Sequence, residues 1–163
     1  MFWSWLSTIL ILPFNALVII PALLLWICGF VYTAPPTAQA AAGWALFPLG
    51  FALAVWTCGL FHTVGKGTAA PWNPPKRFVV RGPYRFVRNP MIISVLMMLT
   101  AEAALLNSRV VAIWTLAFWA ANQFYYFPKI EEPKLRERFG EDYAEYTRQV
   151  RRWIPKLRGY DKQ

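Results

Sequence analysis

The first 65 residues of the chain contain no Asp, Glu, Lys or Arg. An uncharged stretch of this length is typical of segments that lie in lipid, where about 20 apolar residues cross the hydrocarbon core as a helix. The whole chain is 57% hydrophobic and only 15% charged, which is too apolar for an ordinary soluble domain of 163 residues. The sequence therefore predicts an all-α integral membrane protein.

A basic segment follows directly at residues 66–90, with six Lys or Arg side chains and no acid. This segment and residues 129–163 together hold all but one of the 17 basic side chains. Positive charge beside short spans marks the cytoplasmic side of a membrane protein. We therefore expect the basic loop and both termini to be cytoplasmic, with the loop facing an anionic surface or an anionic ligand.

Apolar runs predict about four transmembrane helices, at residues 6–31, 44–64, 91–106 and 110–127. Pro13 and Pro21 interrupt the first run and are expected to kink it. Residues 32–43 are predicted to form an uncharged turn on the non-cytoplasmic side. The short turn Asn107-Ser108-Arg109 makes the last two runs an antiparallel hairpin. We divide the chain into two N-terminal transmembrane helices, residues 1–65, and a core, residues 66–163.

A polar helix with one apolar stripe is predicted at residues 133–150. The stripe consists of Leu135, Phe139, Tyr143, Tyr146, Val150 and Trp153. Gly140 is expected to bend this helix or to end its first segment. Such a helix lies on the membrane surface or caps a bundle of spans.

Two adjacent carboxylates, Glu131 and Glu132, stand where the fourth run leaves the membrane. A carboxylate near hydrocarbon is costly without a partner, so these residues are candidates for binding. Capping of the helix opened by Pro133 is the alternative role, since acids favour a helix N-terminus. No metal-ligand spacing, hydrolase triad or phosphate loop occurs, and His62 and the two cysteines have no partners at metal spacing.

Some reactions require no nucleophile from the protein. Methyl transfer from a sulfonium is an in-line displacement that orientation and desolvation can promote. Its cofactor requires a carboxylate for ribose hydroxyls or an amino group, and donors for its own carboxylate. The basic loop and the pair Glu131-Glu132 supply these types of group.

The order of motifs resembles the isoprenylcysteine carboxyl methyltransferase superfamily, which includes the phosphatidylethanolamine N-methyltransferases. The elements that carry the resemblance are residues 80–91 (VRGPYRFVRNPM), the pair Glu131-Glu132, residues 139–146 (FGEDYAEY) and residues 150–155 (VRRWIP). The resemblance implies S-adenosylmethionine as cofactor, bound on the cytoplasmic side. The residues that it implies as cofactor-binding are Lys76, Arg77, Phe78, Val79, Tyr84, Asn89, Pro90, Met91, Ile92, Glu131 and Glu132. No catalytic residue and no metal are assigned.

Three positions depart from the pattern of the prenylcysteine enzymes. Asn89 replaces His, Ile92 replaces Tyr, and Phe127 stands about where those enzymes place a substrate-binding Arg. Asn-Pro-Met is closer to the lipid-amine methyltransferases. The hypothesis that follows is methyl transfer to a lipophilic acceptor from the bilayer, namely a lipid amine, a thiol or a prenylcysteine carboxylate.

Two other functions are weighed beside methyl transfer. Membrane steroid reductases resemble this superfamily in their C-terminal layout and would bind NADPH in a similar basic pocket. A non-catalytic membrane scaffold would use the basic loop only to bind anionic lipid. Nucleic acid is not an expected partner, because a polybasic segment beside a span more often meets lipid headgroups. The expected partners are the acceptor and membrane lipids, with no obligate protein partner evident.

Overall fold

A computed structural model describes residues 13–68 and 74–160. All regular elements in these residues are helical, as predicted. The helices are α1 (Asn15–Ile27), α2 (Thr37–Thr63), α3 (Pro90–Leu105), α4 (Arg109–Ala121) and α5 (Glu132–Gln149). A 3₁₀ turn lies at Gly82–Arg85, and a π-helix at Asn122–Glu131 joins α4 to α5.

Within the described residues, α2 is the helix that is both long and apolar enough to cross a membrane. α1 and α3 are apolar but shorter. The predicted number of four spans therefore stays a prediction, and the start of the predicted first span lies outside the described residues.

α2 begins at Thr37, so the predicted turn at residues 32–43 is wrong in its second half. Pro36 has an extended backbone and precedes an alanine-rich stretch, and alanine is the best helix former. The helix therefore starts as soon as the proline allows.

The expected interruption of α1 is a change of helical pitch. Residues Asn15–Ile19 form a π-helix, and Ile20–Ile27 continue as an α-helix with Pro21 in its first turn. Proline supplies no backbone donor, and a π-turn is one of the recognised sites of helix distortion. Pro128 likewise lies within the π-helix that leads to Glu131.

Three small residues at intervals of seven bring α2 close to α3. Gly43, Gly50 and Thr57 are the buried residues of α2. A Cβ added to Gly50 would lie 3.0 Å from Met97 Cβ and from the backbone oxygen of Ser94. Small residues of this kind allow membrane helices to pack with their backbones in close approach.

The α3–α4 hairpin forms as predicted around Asn107, which adopts a positive φ of 49°. Ser108 caps α4 by accepting a hydrogen bond from the backbone N–H of Val111 at 3.4 Å. α1 lies against this hairpin, since Trp114 Nε1 donates to the backbone oxygen of Ala16 at 2.9 Å.

The apolar stripe of α5 packs within the protein, with Tyr143, Tyr146 and Val150 buried and the other members half-buried. Tyr143, Tyr146 and Val150 form a core cluster, and Phe78 from the basic loop packs against it. Gly140 breaks the helix with φ 51° and ψ −126°, as its position predicted. α5 therefore holds the basic loop in place.

Replacing Gly50 by Leu should destabilise the protein, because the added side chain overlaps α3. Overpacking of this kind costs about 1–3 kcal/mol. Gly59 of the same helix is the matched control, since a Cβ there meets nothing within 4 Å. Unfolding of Gly50→Leu and Gly59→Leu in detergent would be compared, and equal midpoints would contradict the close packing of α2 on α3.

Candidate functional site

Tyr84 lies at the centre of the region where the basic loop, α2 and α5 meet. Its backbone oxygen accepts a hydrogen bond from the Tyr146 hydroxyl at 2.6 Å, and its ring centroid is 5.3 Å from that of Phe61. Burial holds the pKa of the Tyr84 phenol well above its usual range, and the nearby Cys58 and Glu131 act in the same direction. Tyr84 is therefore a neutral, fixed side chain beside Glu131.

Glu132 is the anion at which two arginines meet. Its Oε1 accepts hydrogen bonds from Arg88 Nη1 at 3.1 Å and from Arg152 Nη2 at 2.6 Å and Nε at 3.1 Å. Glu132 occupies the first turn of α5, where capping is its alternative predicted role, but its carboxylate accepts hydrogen bonds from these two side chains. Charge-assisted hydrogen bonds of this type are stronger than neutral ones. They connect the basic loop and the chain after α5 to the start of α5.

Arg152 is itself oriented by Gln123 and Phe127. Its Nη1 donates to Gln123 Oε1 at 3.0 Å, and Trp153 Nε1 donates to the same oxygen at 2.5 Å. The Arg152 guanidinium lies 5.6 Å from the Phe127 ring centroid, which is a cation–π distance. The arginine is therefore held on three sides, by Glu132, Gln123 and Phe127.

Glu131 has a different environment from its neighbour. Its side chain is half-buried, and no side chain in residues 13–68 or 74–160 donates a hydrogen bond to it. The pKa of the Glu131 carboxyl is raised to about 7, chiefly by burial and also by the negative charge of Glu132, while Arg152 acts in the opposite direction. Glu132 is thus engaged by two arginines, whereas the Glu131 side chain accepts no hydrogen bond from the described residues.

The predicted cofactor segment at residues 76–79 divides into two kinds of residue. Lys76 and Arg77 are exposed, and their backbone N–H groups donate to the backbone oxygen of Gly65 at 2.8 and 3.2 Å. The Phe78 ring is 5.2 Å from that of Tyr146, and Val79 is buried. Phe78 and Val79 are therefore packing residues of the loop, while Lys76 and Arg77 present charge to the outside.

The segment at residues 89–92 begins α3 next to Tyr84. Asn89 is at the N-cap without a side-chain capping bond, and Pro90 is the buried first residue of the helix. Met91 Sδ lies 4.0 Å from Cys58 Sγ, and Ile92 is half-buried. Since Cys58 is also close enough to affect Tyr84, the start of α3 borders the same region.

Three side chains of this network were not predicted as site residues, namely Arg88, Gln123 and Arg152. Arg152 stands in the family-like VRRWIP element of the sequence. Its contact with Glu132 spans 20 positions, and the contact of Arg88 with Glu132 spans 44. Pairings at such separations leave no local pattern. Arg88 Nε is buried and has no acceptor among the described residues.

Phe127 lies in the core beside the arginine network. The side chain is only 1% exposed and packs against Trp153, with ring centroids 5.6 Å apart, and beneath Arg152. The apolar acceptor site, inferred from Phe127 in place of a substrate-binding Arg, stays a prediction.

Replacing Arg152 by Gln should destabilise the protein by about 1–3 kcal/mol, because partly buried Glu132 loses one of its two cations. The side chains of this pair are 17% and 15% exposed. Arg148→Gln is the matched control, since its pair with Glu141 is 71% and 82% exposed and such pairs contribute little. Chemical unfolding of both variants checks this, and an Arg152→Gln midpoint equal to that of Arg148→Gln would contradict it.

Comparison with known proteins identifies one family. The family described as phospholipid methyltransferase matches residues 38–142, which include all but the first residue of α2, the α3–α4 hairpin and the pair Glu131-Glu132. No curated protein and no solved structure matches the chain.

Proposed function

Since the chain belongs to the phospholipid methyltransferase family, part of the integral membrane methyltransferase superfamily, we propose that it transfers a methyl group from S-adenosylmethionine to a lipid amine. The observation that carries this proposal is the contrast between the two carboxylates. Glu132 is neutralised by Arg88 and Arg152, whereas Glu131 has no donor among the described residues.

The residues present fit the cofactor. A half-buried carboxylate without a donor is suited to ribose hydroxyls or an ammonium group, which would supply the missing hydrogen bonds. Arg88 Nε is a buried donor without an acceptor among the described residues, and it is of the type that the cofactor's own carboxylate requires. Glu131 and Arg88 would hold the cofactor beside Tyr84 and the start of α3.

S-adenosylmethionine, when bound, supplies a methyl group made electrophilic by its sulfonium. The chain itself contributes binding, orientation and exclusion of water. Ionised Glu131 would bind the donor groups, while Tyr84 and Met91 would give the reacting region apolar walls. A neutral amine loses less hydration energy than an anion on entering such a region, and this favours a lipid amine as acceptor.

The membrane placement proposed here follows the basic residues. α2 is long enough to cross the bilayer, and α3 and α4 form an antiparallel hairpin whose two open ends lie beside the site. With four crossings, the site and both termini would be cytoplasmic, because the basic segments lie at the same end of the helices as the site. The acceptor would then enter sideways from the bilayer.

Glu131→Gln should weaken binding of S-adenosylhomocysteine by about tenfold or more, which corresponds to loss of a charge-assisted hydrogen bond of about 1.5–3 kcal/mol. Glu141→Gln is the matched control, since Glu141 is an exposed acid on α5. Isothermal titration calorimetry measures both, and an unchanged affinity for Glu131→Gln would overturn the role of this residue.

Incubation with labelled S-adenosylmethionine should label the amine headgroups of a phospholipid extract. A prenylcysteine analogue is supplied in parallel. Label on the prenylcysteine carboxylate alone would refute the lipid amine as acceptor and leave methyl transfer intact. Thermal stabilisation by NADPH but not by S-adenosylhomocysteine would instead favour a reductase.

A further inference from the structure

The chain after α5, residues 150–160, forms an irregular segment that we call the C-terminal segment. Backbone hydrogen bonds tie it to the residues just before α3. Arg88 N donates to the Arg151 oxygen at 2.9 Å, Lys156 N to the Phe86 oxygen at 2.9 Å, and Tyr160 N to the Arg85 oxygen at 2.8 Å. The segment therefore has a fixed side that faces the protein.

The inward side chains of the segment belong to the site described above. Arg152 binds Glu132, Trp153 donates to Gln123, and Tyr160 is buried with its ring centroid 5.6 Å from that of Tyr146. Displacing the segment would remove one of the two cations from Glu132.

The outward side chains combine apolar and basic character. Ile154 is 62% exposed and Leu157 is fully exposed. The basic residues Arg151, Lys156 and Arg158 are also exposed, and no acid occurs from residue 146 to residue 160. Water is a poor environment for two exposed aliphatic side chains, while three clustered cations attract a negatively charged partner.

The segment also adjoins the apolar surface of the helices. It pairs with residues 85–88, directly before α3, and the Trp153 ring lies 6.4 Å from that of Trp119 in the last turn of α4. Trp119 in turn contacts the exposed Phe124, with ring centroids 6.0 Å apart. Through Trp153, the segment thus lies next to exposed aromatic side chains at the ends of the apolar helices.

We propose that the outward face of the C-terminal segment docks on anionic phospholipid headgroups at the cytoplasmic surface of the bilayer. Ile154 and Leu157 enter the boundary between headgroups and acyl chains, and the three basic side chains bind lipid phosphates. This contact keeps Arg152 on Glu132, so the charge of the membrane supports the site. The inference rests on the membrane placement proposed above and is independent of methyl transfer.

The test uses the full chain in nanodiscs. Cys28 and Cys58 are replaced by Ser, and Leu157→Cys carries an environment-sensitive fluorophore. The fraction of anionic phospholipid is raised stepwise from zero, and quenching by lipids that bear a nitroxide near the headgroup is recorded. Quenching should increase with the anionic fraction, and the ratio of docked to undocked segment should fall about fivefold for each basic side chain removed.

Lys156→Gln with Arg158→Gln, in the same labelled background, is the matched variant. Equal quenching with and without anionic lipid would overturn the role of lipid charge. Equal quenching of this variant and of the labelled protein that keeps Lys156 and Arg158 would overturn it as well. A fluorophore exposed to water at every composition would overturn the membrane contact and point to an acidic protein partner.

A second measurement reports on the site without the label. Leu157→Ser should lower the unfolding temperature in anionic nanodiscs but not in detergent, because its side chain contacts only the lipid. An equal loss in both environments would contradict the proposal. Since no cofactor is present, these results stand apart from the methyl-transfer assays.

Discussion

The arrangement of the site depends on the carboxylate of Glu132 and the two arginines that bind it. Arg88 comes from the loop before α3 and Arg152 from the C-terminal segment, so one partly buried anion joins three parts of the chain. Removing two charges from water is costly, and the attraction between them offsets that cost only when the hydrogen bonds are good. Arg152 donates from both Nη2 and Nε to Glu132 Oε1. Its remaining nitrogen, Nη1, donates to Gln123 Oε1.

The two arginines that bind Glu132 distinguish it from the neighbouring carboxylate, Glu131. With the charge of Glu132 balanced, Glu131 is left without a donor in the described parts of the chain, beside a buried tyrosine. Partial burial and the neighbouring charge of Glu132 both make the Glu131 carboxyl take up a proton more readily, and together they account for its pKa of about 7. Perturbed groups of this kind are concentrated at functional sites, and the family of the chain gives this one a chemical context.

The sequence predicted those features that depend on local pattern. The α3–α4 hairpin follows from one turn between two apolar runs, and the buried stripe of α5 follows from helical spacing. The start of α2 was predicted seven residues late, because Pro36 and the alanines were assigned to a turn. The arginine network could not be predicted, since its members are distant in sequence. The packing of Phe127 could not be predicted for the same reason, since its partners, Trp153 and Arg152, come from the end of the chain.

If Glu131 is the carboxylate on which the cofactor is bound, its proton must respond to binding. A ligand that donates to ionised Glu131 lowers its pKa, so binding at pH 7 should release up to about half a proton per molecule and should tighten as the pH rises through 7. Calorimetry of S-adenosylhomocysteine binding in buffers of different ionisation enthalpy measures this release. We expect proton release by the native protein and none by Glu131→Gln. Binding without proton release in the native protein, or equal release in both, would contradict it.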